Sequence, residues 1–269
     1  MVYRIGTRGS KLALVQTEYV RNRLQKRYPQ DIFEIRIIKT RGDMVTDRPL
    51  DQVGESGLFV KEIERALLEG EIQLAVHSMK DMPCQLPEGL VLAPVWERED
   101  PRDALVLREK KSLEELPESA VIGTGSKRRA VQLQKLRPDL RIVNLRGNVD
   151  TRLRKMEEQK LDGIILAAAG LKRLGLQDRI THFFEIDEMI PAPTQGTLAI
   201  ELREDNRELL HKLAPFGDAK TELQTEIERA FLQEMGADCH LPIGAYAYVK
   251  EKNPISTMNG DGEYGDAKS

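Results

Sequence analysis

The sequence contains few aromatic residues, few cysteines and no long hydrophobic run. Aromatic residues make up 5% of the 269 residues, which argues against a surface that binds nucleic acids by base stacking. The two cysteines cannot form a disulfide framework, and the four histidines show no spacing typical of a zinc site. The longest apolar stretch, residues 163–171, is far shorter than the roughly 20 residues that cross a bilayer. We therefore expect no bound metal and no membrane span.

Excess charge of one sign is also absent. Lys and Arg number 41 against 44 Asp and Glu, which leaves a formal net charge of -3. Binding to nucleic acid or to an anionic membrane would need a positive excess. The first residues place Arg4, Arg8 and Lys11 where a secretion signal requires an apolar core. We expect a cytoplasmic globular protein with neither nucleic acid nor membrane as partner.

Two short motifs occur twice in the same order. Residues 5–11, IGTRGSK, recur approximately as residues 122–127, IGTGSK, and residues 39–43, KTRGD, are echoed by residues 144–148, NLRGN. In both copies the first motif joins a predicted strand to a predicted helix, and Ser10 can cap the first of these helices. The repeat predicts two related α/β domains.

The repeat and the apolar periodicity together predict three domains. Domain 1 covers residues 1–96 with a returning segment at 192–216, and domain 2 covers residues 97–191. Domain 3 covers residues 217–269, with a helix from Glu222 onward and a strand over residues 243–249.

Arginines are concentrated where the predicted strands end or the next helices begin. In open α/β sheets, ligands bind beyond the carboxyl ends of strands, where helix N-termini favour anions. Arginine can hold a carboxylate with two parallel hydrogen bonds. Any single arginine could instead lie on a solvent-exposed helix face and bind no ligand. The set predicts a site for a polyanionic ligand and comprises Arg8, Arg128, Arg129, Arg146 and Arg152.

Three other positions are candidates for chemistry. Asp81 follows a predicted buried strand together with Lys80, so its carboxylate could act as an acid, a base or a stabiliser of positive charge; an ordinary ion pair is the alternative. His77 is a weaker candidate, since a histidine at a strand end is more often simply packed. Cys239 lies on a predicted turn where its thiol could react; a small core residue is the alternative.

Segments spread over most of the chain resemble the porphobilinogen deaminase family, also called hydroxymethylbilane synthases, of tetrapyrrole and heme biosynthesis. The matching segments are TRGSKLAL from Thr7, TRGD from Thr40, GLFVKEIE from Gly57, AVHSMKDMP from Ala75, EREDPRDAL from Glu97, IGTGSKRR from Ile122, NLRGNVDTRL from Asn144, ILAAAGLKRLG from Ile165 and DCHLPIGAYA from Asp238.

The resemblance implies a fold and an activity. It implies two α/β domains like the lobes of a periplasmic binding protein, and a small α+β C-terminal domain, which we expect to be shortened. It implies a monomeric transferase that condenses four porphobilinogen molecules, with loss of ammonia, to the linear tetrapyrrole hydroxymethylbilane. The reaction is primed on a dipyrromethane cofactor held by a thioether at Cys239.

The resemblance also assigns roles to residues. Asp81 is the catalytic carboxylate, which stabilises the positive charge left on the pyrrole when ammonia departs. The positions matching cofactor-binding residues are Cys239, Lys80, Ser126, Arg128, Arg129, Arg146 and Gln195. The positions matching substrate-binding residues are Arg8, Ser10, Phe59, Arg146, Arg152 and Arg173. In the glycine loop, Glu55 and Ser56 stand where many bacterial members have lysines.

Two alternative functions stay open on the sequence alone. A two-lobe architecture serves non-catalytic organic-anion binding proteins equally well. An inactive, truncated deaminase is the other alternative. A nucleic-acid-binding function is disfavoured by the net charge and the low aromatic content.

Overall fold

The computed structural model describes residues 1–40, 60–109, 112–236 and 242–249, together with the backbone of residues 257–258 and 264–265. These residues form two α/β lobes and a C-terminal helical unit. Within the described ranges, no helix has the length and apolar character needed to cross a membrane.

Lobe 1 is built on a five-stranded sheet in which three adjacent parallel strands bring their carboxyl ends to one edge. In sheet order its strands are β2 (Ile32–Ile37), β1 (Val2–Thr7), β3 (Leu74–Ser78), β10 (Leu198–Arg203) and β4 (Leu90–Leu92). Strand β1 is parallel to β2 and β3, whereas β10 is antiparallel to β3 and β4. Its helices are α1 (Lys11–Arg27), α2 (Lys61–Leu68) and α6 (Arg207–Leu213).

Lobe 2 repeats this topology. In sheet order its strands are β7 (Arg141–Val143), β6 (Val121–Gly123), β8 (Gly163–Ala167), β5 (Asp103–Leu107) and β9 (His182–Phe183). Strand β6 is parallel to β7 and β8, and β5 is antiparallel to β8 and β9. Its helices are α3 (Lys127–Leu136), α4 (Val149–Glu158) and α5 (Ala168–Arg173). The predicted internal repeat is confirmed as a repeat of sheet order.

The repeated motif has the same local structure in both lobes. Ile5 and Ile122 are fully buried at equivalent positions of β1 and β6. The side chain of Ser10 accepts a hydrogen bond from the Ala13 N–H, and that of Ser126 accepts one from the Arg129 N–H. Each serine therefore caps the helix that follows, because its oxygen pairs a donor left free in the first helical turn, and the cap predicted at Ser10 is confirmed.

Two segments without helix or strand connect the lobes. The first crossover is residues 93–102 and the second is residues 184–197. They touch where the Glu99 N–H donates to the Gly196 carbonyl over 3.2 Å. Gly196 has φ +94°, and a Cβ there would collide with the Glu99 carbonyl. Glycine is required at this position both for its conformation and for the close approach of the two crossovers.

The C-terminal unit contains helix α7 (Ala219–Glu234), which confirms the predicted helix and starts three residues earlier. Asp218 caps it by accepting from the Thr221 N–H over 2.8 Å. The strand predicted over residues 243–249 is wrong, because that segment pairs with side chains and loop carbonyls instead of a neighbouring strand: the Ala245 N–H donates to the Pro191 carbonyl and the Ala247 N–H to Glu228. Two short strands, β11 (Thr257–Met258) and β12 (Tyr264–Gly265), pair antiparallel.

Candidate active site

A cavity of about 250 Å³ lies between the two lobes. Lobe 1 lines it with residues that follow β1 and β3, and lobe 2 lines it with the start of α4 and the end of β8. Ligands of open α/β sheets bind at this edge, beyond the carboxyl ends of the strands. The cavity therefore lies where the sheet topology of both lobes places a binding site.

Two helix N-termini face the cavity, one from each lobe. Ser10 and Arg8 lie at the start of α1, and Asn148 and Asp150 lie at the start of α4. The first turn of α1 contains no acidic residue. Free N–H groups and the helix dipole favour an anion at such ends, so the backbone adds to the positive potential of the arginine side chains.

Asp81 and Lys80 lie on a short 3-10 turn, Met79–Asp81, directly after β3. The buried Met79 side chain anchors this turn, and the Met79 N–H donates to the Thr197 carbonyl over 3.0 Å. Asp81 is exposed at the cavity wall. Lys80 Nζ donates to Gln195 Oε1 over 3.1 Å. The turn thus presents an accessible carboxylate beside a hydrogen-bonded ammonium group.

The environment of Lys80 favours loss of its proton at mildly alkaline pH. Burial lowers the pKa of Lys80 to about 8, the negative charge of Asp81 opposes this change, and the positive charge of Arg129 adds to it. Near neutral pH the residue still carries its charge in most molecules.

Arg152 reaches the cavity from lobe 2. Its Nε donates to the Gly147 carbonyl over 2.7 Å, which fixes the guanidinium group against the loop that precedes α4. Burial, and then the positive charge of Arg129, lower the pKa of Arg152 to about 10, while Asp81 on lobe 1 raises it. Arg152 and Asp81 therefore act on each other across the cleft.

Arg128 and Arg129 lie behind the cavity wall, and both pair with the fully buried Asp103. Arg128 Nη1 lies 2.7 Å from Asp103 Oδ2, and Arg129 Nη2 lies 2.7 Å from Asp103 Oδ1. Gln195 Nε2 donates to Asp103 Oδ1 over 2.9 Å, and its Oε1 accepts from Lys80. This buried network joins lobe 2 to Lys80 of lobe 1 through the second crossover.

The other predicted site residues are placed as follows. Ser126 caps α3, and Arg173 Nη2 donates to the Gly196 carbonyl over 2.6 Å. The half-buried Arg146 precedes α4, and its positive charge contributes to lowering the pKa of Arg152. Phe59 and Cys239 lie outside the described residues, as do Glu55 and Ser56.

The structure thus brings Arg8, Ser10, Lys80, Asp81 and Arg152 together in one cavity. Sequence reasoning gave no role to Asp103, although an acidic residue at the head of the apolar strand Asp103–Leu107 is a usable signal, because a buried acid needs partners. His77 is buried at the strand end, with its Nε2 3.2 Å from the buried Glu201. This agrees with the prediction that His77 is a packed histidine more than a candidate for chemistry.

The residues around the cavity fit an organic polyanion better than a metal ion. In the described part of the chain, no group of His, Cys, Asp and Glu could hold a metal. Arg8, Lys80 and Arg152 line the cavity, and Arg128 and Arg129 lie behind it. This donor set suits a group that carries several carboxylates, because guanidinium and ammonium groups pair with carboxylates in charge-assisted hydrogen bonds.

Fold and site together define a two-lobe α/β protein of the periplasmic-binding-protein type with a cationic cleft. Comparison of the chain with protein families then identifies the family. Residues 3–211 match the porphobilinogen deaminase, dipyromethane cofactor binding domain, and residues 223–260 match the porphobilinogen deaminase C-terminal domain. The chain belongs to the porphobilinogen deaminase family.

Individual relatives support the same assignment. The chain is 54% identical over 257 residues to a porphobilinogen deaminase of Lachnospira eligens, a match covering 95% of this chain and 87% of that protein. It is 52% identical over 261 residues to a porphobilinogen deaminase of Clostridioides difficile, covering 96% and 87%.

Among solved structures, the methionine binding protein MetQ matches with a TM-score of 0.50 and 15% sequence identity, covering 93% of this chain and 99% of that one. At this identity the match shows the shared two-lobe fold alone.

Proposed function

We propose that this chain is a working porphobilinogen deaminase, a transferase that joins four porphobilinogen molecules, releases ammonia from each and yields the linear tetrapyrrole hydroxymethylbilane. Membership of the family carries the activity, and one structural observation carries the site: an exposed carboxylate, Asp81, lies in an interlobe cavity that Arg8, Lys80 and Arg152 also line. Each pyrrole of substrate and product carries an acetate and a propionate, which such a cavity suits.

The dipyrromethane cofactor fits this donor set, since it is made of two such pyrroles. When bound through Cys239, it supplies the pyrrole carbon to which the first substrate is added. Lys80, Arg128, Arg129, Arg146 and Gln195 are the residues proposed to hold it, together with Ser126 at the start of α3.

Substrate is held by the cations of both lobes. In this proposal Arg8 and Ser10 of lobe 1 and Arg146, Arg152 and Arg173 of lobe 2 bind its carboxylates, and Phe59 lines the cleft. Asp81 faces the reacting pyrrole nitrogen and stabilises the positive charge that develops there as ammonia leaves. A fixed carboxylate in a partly enclosed site stabilises such charge more than water does.

For location and assembly we propose a cytoplasmic monomer that binds neither nucleic acid nor membranes. The net charge of -3 and the lack of a cysteine framework support this. Light scattering during gel filtration tests the assembly state.

The function is tested by supplying the purified chain with porphobilinogen and counting products. We expect four ammonia molecules for each tetrapyrrole released. Asp81→Ala should keep the fold and lower kcat by about 100-fold or more, the scale of losing one electrostatic stabiliser. Asp178→Ala, which removes an exposed carboxylate of lobe 2 that does not line the cavity, is the matched control. Near-normal turnover in the Asp81 variant would contradict this mechanism, and porphobilinogen binding without ammonia release would point to a non-catalytic binding protein.

A further inference from the structure

Asp103 occupies a rigid position at the junction of the first crossover and lobe 2. It is the first residue of β5, pairs with Ala167 across the sheet, and its carbonyl accepts from the Phe184 N–H over 3.0 Å. The residue has no solvent exposure. The backbone that carries the Asp103 carboxylate is therefore fixed in a strand with a neighbouring strand on each side.

The carboxylate contacts three side chains at once. Oδ1 accepts from Arg129 Nε over 2.9 Å and from Gln195 Nε2 over 2.9 Å, while Oδ2 pairs with Arg128. Arg128 and Arg129 hold the pKa of Asp103 at about 2, although burial alone raises it. The group is thus an anion near neutral pH.

Gln195 carries the influence of Asp103 to the other lobe. Its amide nitrogen donates to Asp103 and, over 2.7 Å, to the Pro101 carbonyl, so its oxygen is turned toward Lys80 and Arg129. Lys80 adjoins Asp81 on the turn at the cavity wall. The position of the Lys80 ammonium group therefore depends on the orientation of an amide that Asp103 helps to fix.

The charges in this region do not balance. Arg128 and Arg129 contact one buried carboxylate, Lys80 lies near enough for the charge of Asp103 to raise its pKa, and Asp81 is exposed. Pairing with Asp103 leaves positive charge that a ligand carboxylate can neutralise. Without Asp103, three neighbouring cations would repel one another and lose their common anchor.

We infer that Asp103 is a positioning residue: its carboxylate fixes the guanidinium groups of Arg128 and Arg129 and, through Gln195, the ammonium group of Lys80, and so sets where the cleft accepts carboxylates. Asp103 does not touch the substrate. This inference deepens the proposed function and rests on it for its kinetic readout.

The test uses Asp103→Asn, which keeps shape and removes charge, in the full chain. We expect KM for porphobilinogen to rise at least tenfold with a smaller fall in kcat, because carboxylate binding is lost more than chemistry. We also expect the alkaline limb of the kcat/KM profile to move down by at least half a pH unit, since Asp103 raises the pKa of Lys80. Asp100→Asn is the control, because Asp100 pairs with Arg102 and Lys172 outside this network.

A folded Asp103→Asn variant with wild-type KM and pH profile would overturn the inference. If the single variant does not fold, Asp103→Asn is combined with Arg128→Gln, which keeps the net charge of the buried cluster, and is compared with Arg128→Gln alone. The inference predicts a further rise in KM in the double variant, and equal KM values would contradict it.

A second readout does not depend on turnover. NMR titration of the Lys80 side chain, assigned with Lys80→Gln, should show a lower midpoint in Asp103→Asn than in the wild type. An inactive wild-type chain with this shift would contradict the proposed function and leave the placement of Lys80 by Asp103 supported. An active chain with no shift and no change in KM would contradict only the role of Asp103.

Discussion

Buried ionisable side chains in this protein are held by partners distant in sequence. Asp103 pairs with Arg128 and Arg129, and Glu228 pairs with Arg98 over 2.8 Å. A buried charge without a partner is costly, so each pair ties together elements that the chain brings close only on folding. Near helix α2, by contrast, two buried glutamates, Glu64 and Glu201, lie close enough for the charge of one to raise the pKa of the other.

Glu64 of α2 is the residue for which we predict a stability change with pH. Burial, and then the negative charge of Glu201, raise the pKa of Glu64 to about 7 from 4.5. The folded chain thus binds this proton more tightly than the unfolded chain. The contribution of this proton to the free energy of unfolding is complete below about pH 4.5 and declines as the pH rises toward 7. Above pH 7 the contribution is absent.

Glu64→Gln should remove that decline. Compared with the wild type, its free energy of unfolding should gain more at pH 8 than at pH 5, by at most about 3 kcal/mol. Denaturant melts at the two pH values measure the difference, and Glu69→Gln, exposed at the end of the same helix, is the control. An identical pH dependence in wild type and Glu64→Gln would contradict this assignment.

The residues that could be predicted from the sequence are those next to a strand end. Asp81 and Lys80 follow β3, and Arg8 follows β1, so the strand pattern alone places them at the cavity. The partners of Asp103 and Glu228 could not be identified from the sequence, because they lie 25 or more positions away and only folding brings them together.

At the scale of elements, helix α7 is attached to the lobes mainly through polar groups. Its buried residues are Thr221, Gln224, Thr225 and Glu228. Glu228 accepts from the Thr194 N–H of the second crossover and from the Ala247 N–H of the following segment, besides pairing with Arg98 of the first crossover. One carboxylate thus joins the C-terminal helix to both connections between the lobes.

Glu228→Gln should therefore loosen this helix from the crossovers. An amide nitrogen would replace one oxygen and face an N–H donor, and Arg98 would lose its counter-charge, so we expect a loss of about 3–5 kcal/mol in the free energy of unfolding. Glu226→Gln, exposed on the same helix, controls for the substitution. Equal melting temperatures for the two variants would show that the Glu228 contact contributes nothing to docking.

Most elements could be predicted because their apolar periodicity and caps are local. Ser10 starts its helix as expected. The conformation of residues 243–249 could not be predicted, since alternation suited to a strand does not reveal which partners the segment finds. Among the described residues it hydrogen-bonds to Glu228 and Gln224.

At the scale of the whole molecule, the two lobes share one sheet order and contribute cations to one cleft. Arg8 comes from lobe 1 and Arg152 from lobe 2. The internal repeat made this architecture predictable, whereas the cleft's geometry depends on crossover contacts such as Glu99 with Gly196, which no local pattern announces.

Arg152→Gln should weaken substrate binding from the lobe 2 side. Loss of one charge-assisted contact of about 1.5–3 kcal/mol corresponds to a rise in KM for porphobilinogen of roughly 10- to 100-fold. Arg154→Gln is the matched control, because Arg154 lies on the same helix, is exposed and pairs with Glu158. Steady-state kinetics measure the KM of both variants, and an unchanged KM in Arg152→Gln would contradict a role of Arg152 in substrate binding.

The central claim, that this chain is a cofactor-bearing porphobilinogen deaminase, is tested most directly by the intact mass of the denatured protein. We predict a mass above that of the polypeptide by two linked pyrrole units, and loss of this excess in Cys239→Ser. A bare polypeptide mass that persists after incubation with porphobilinogen would contradict the claim.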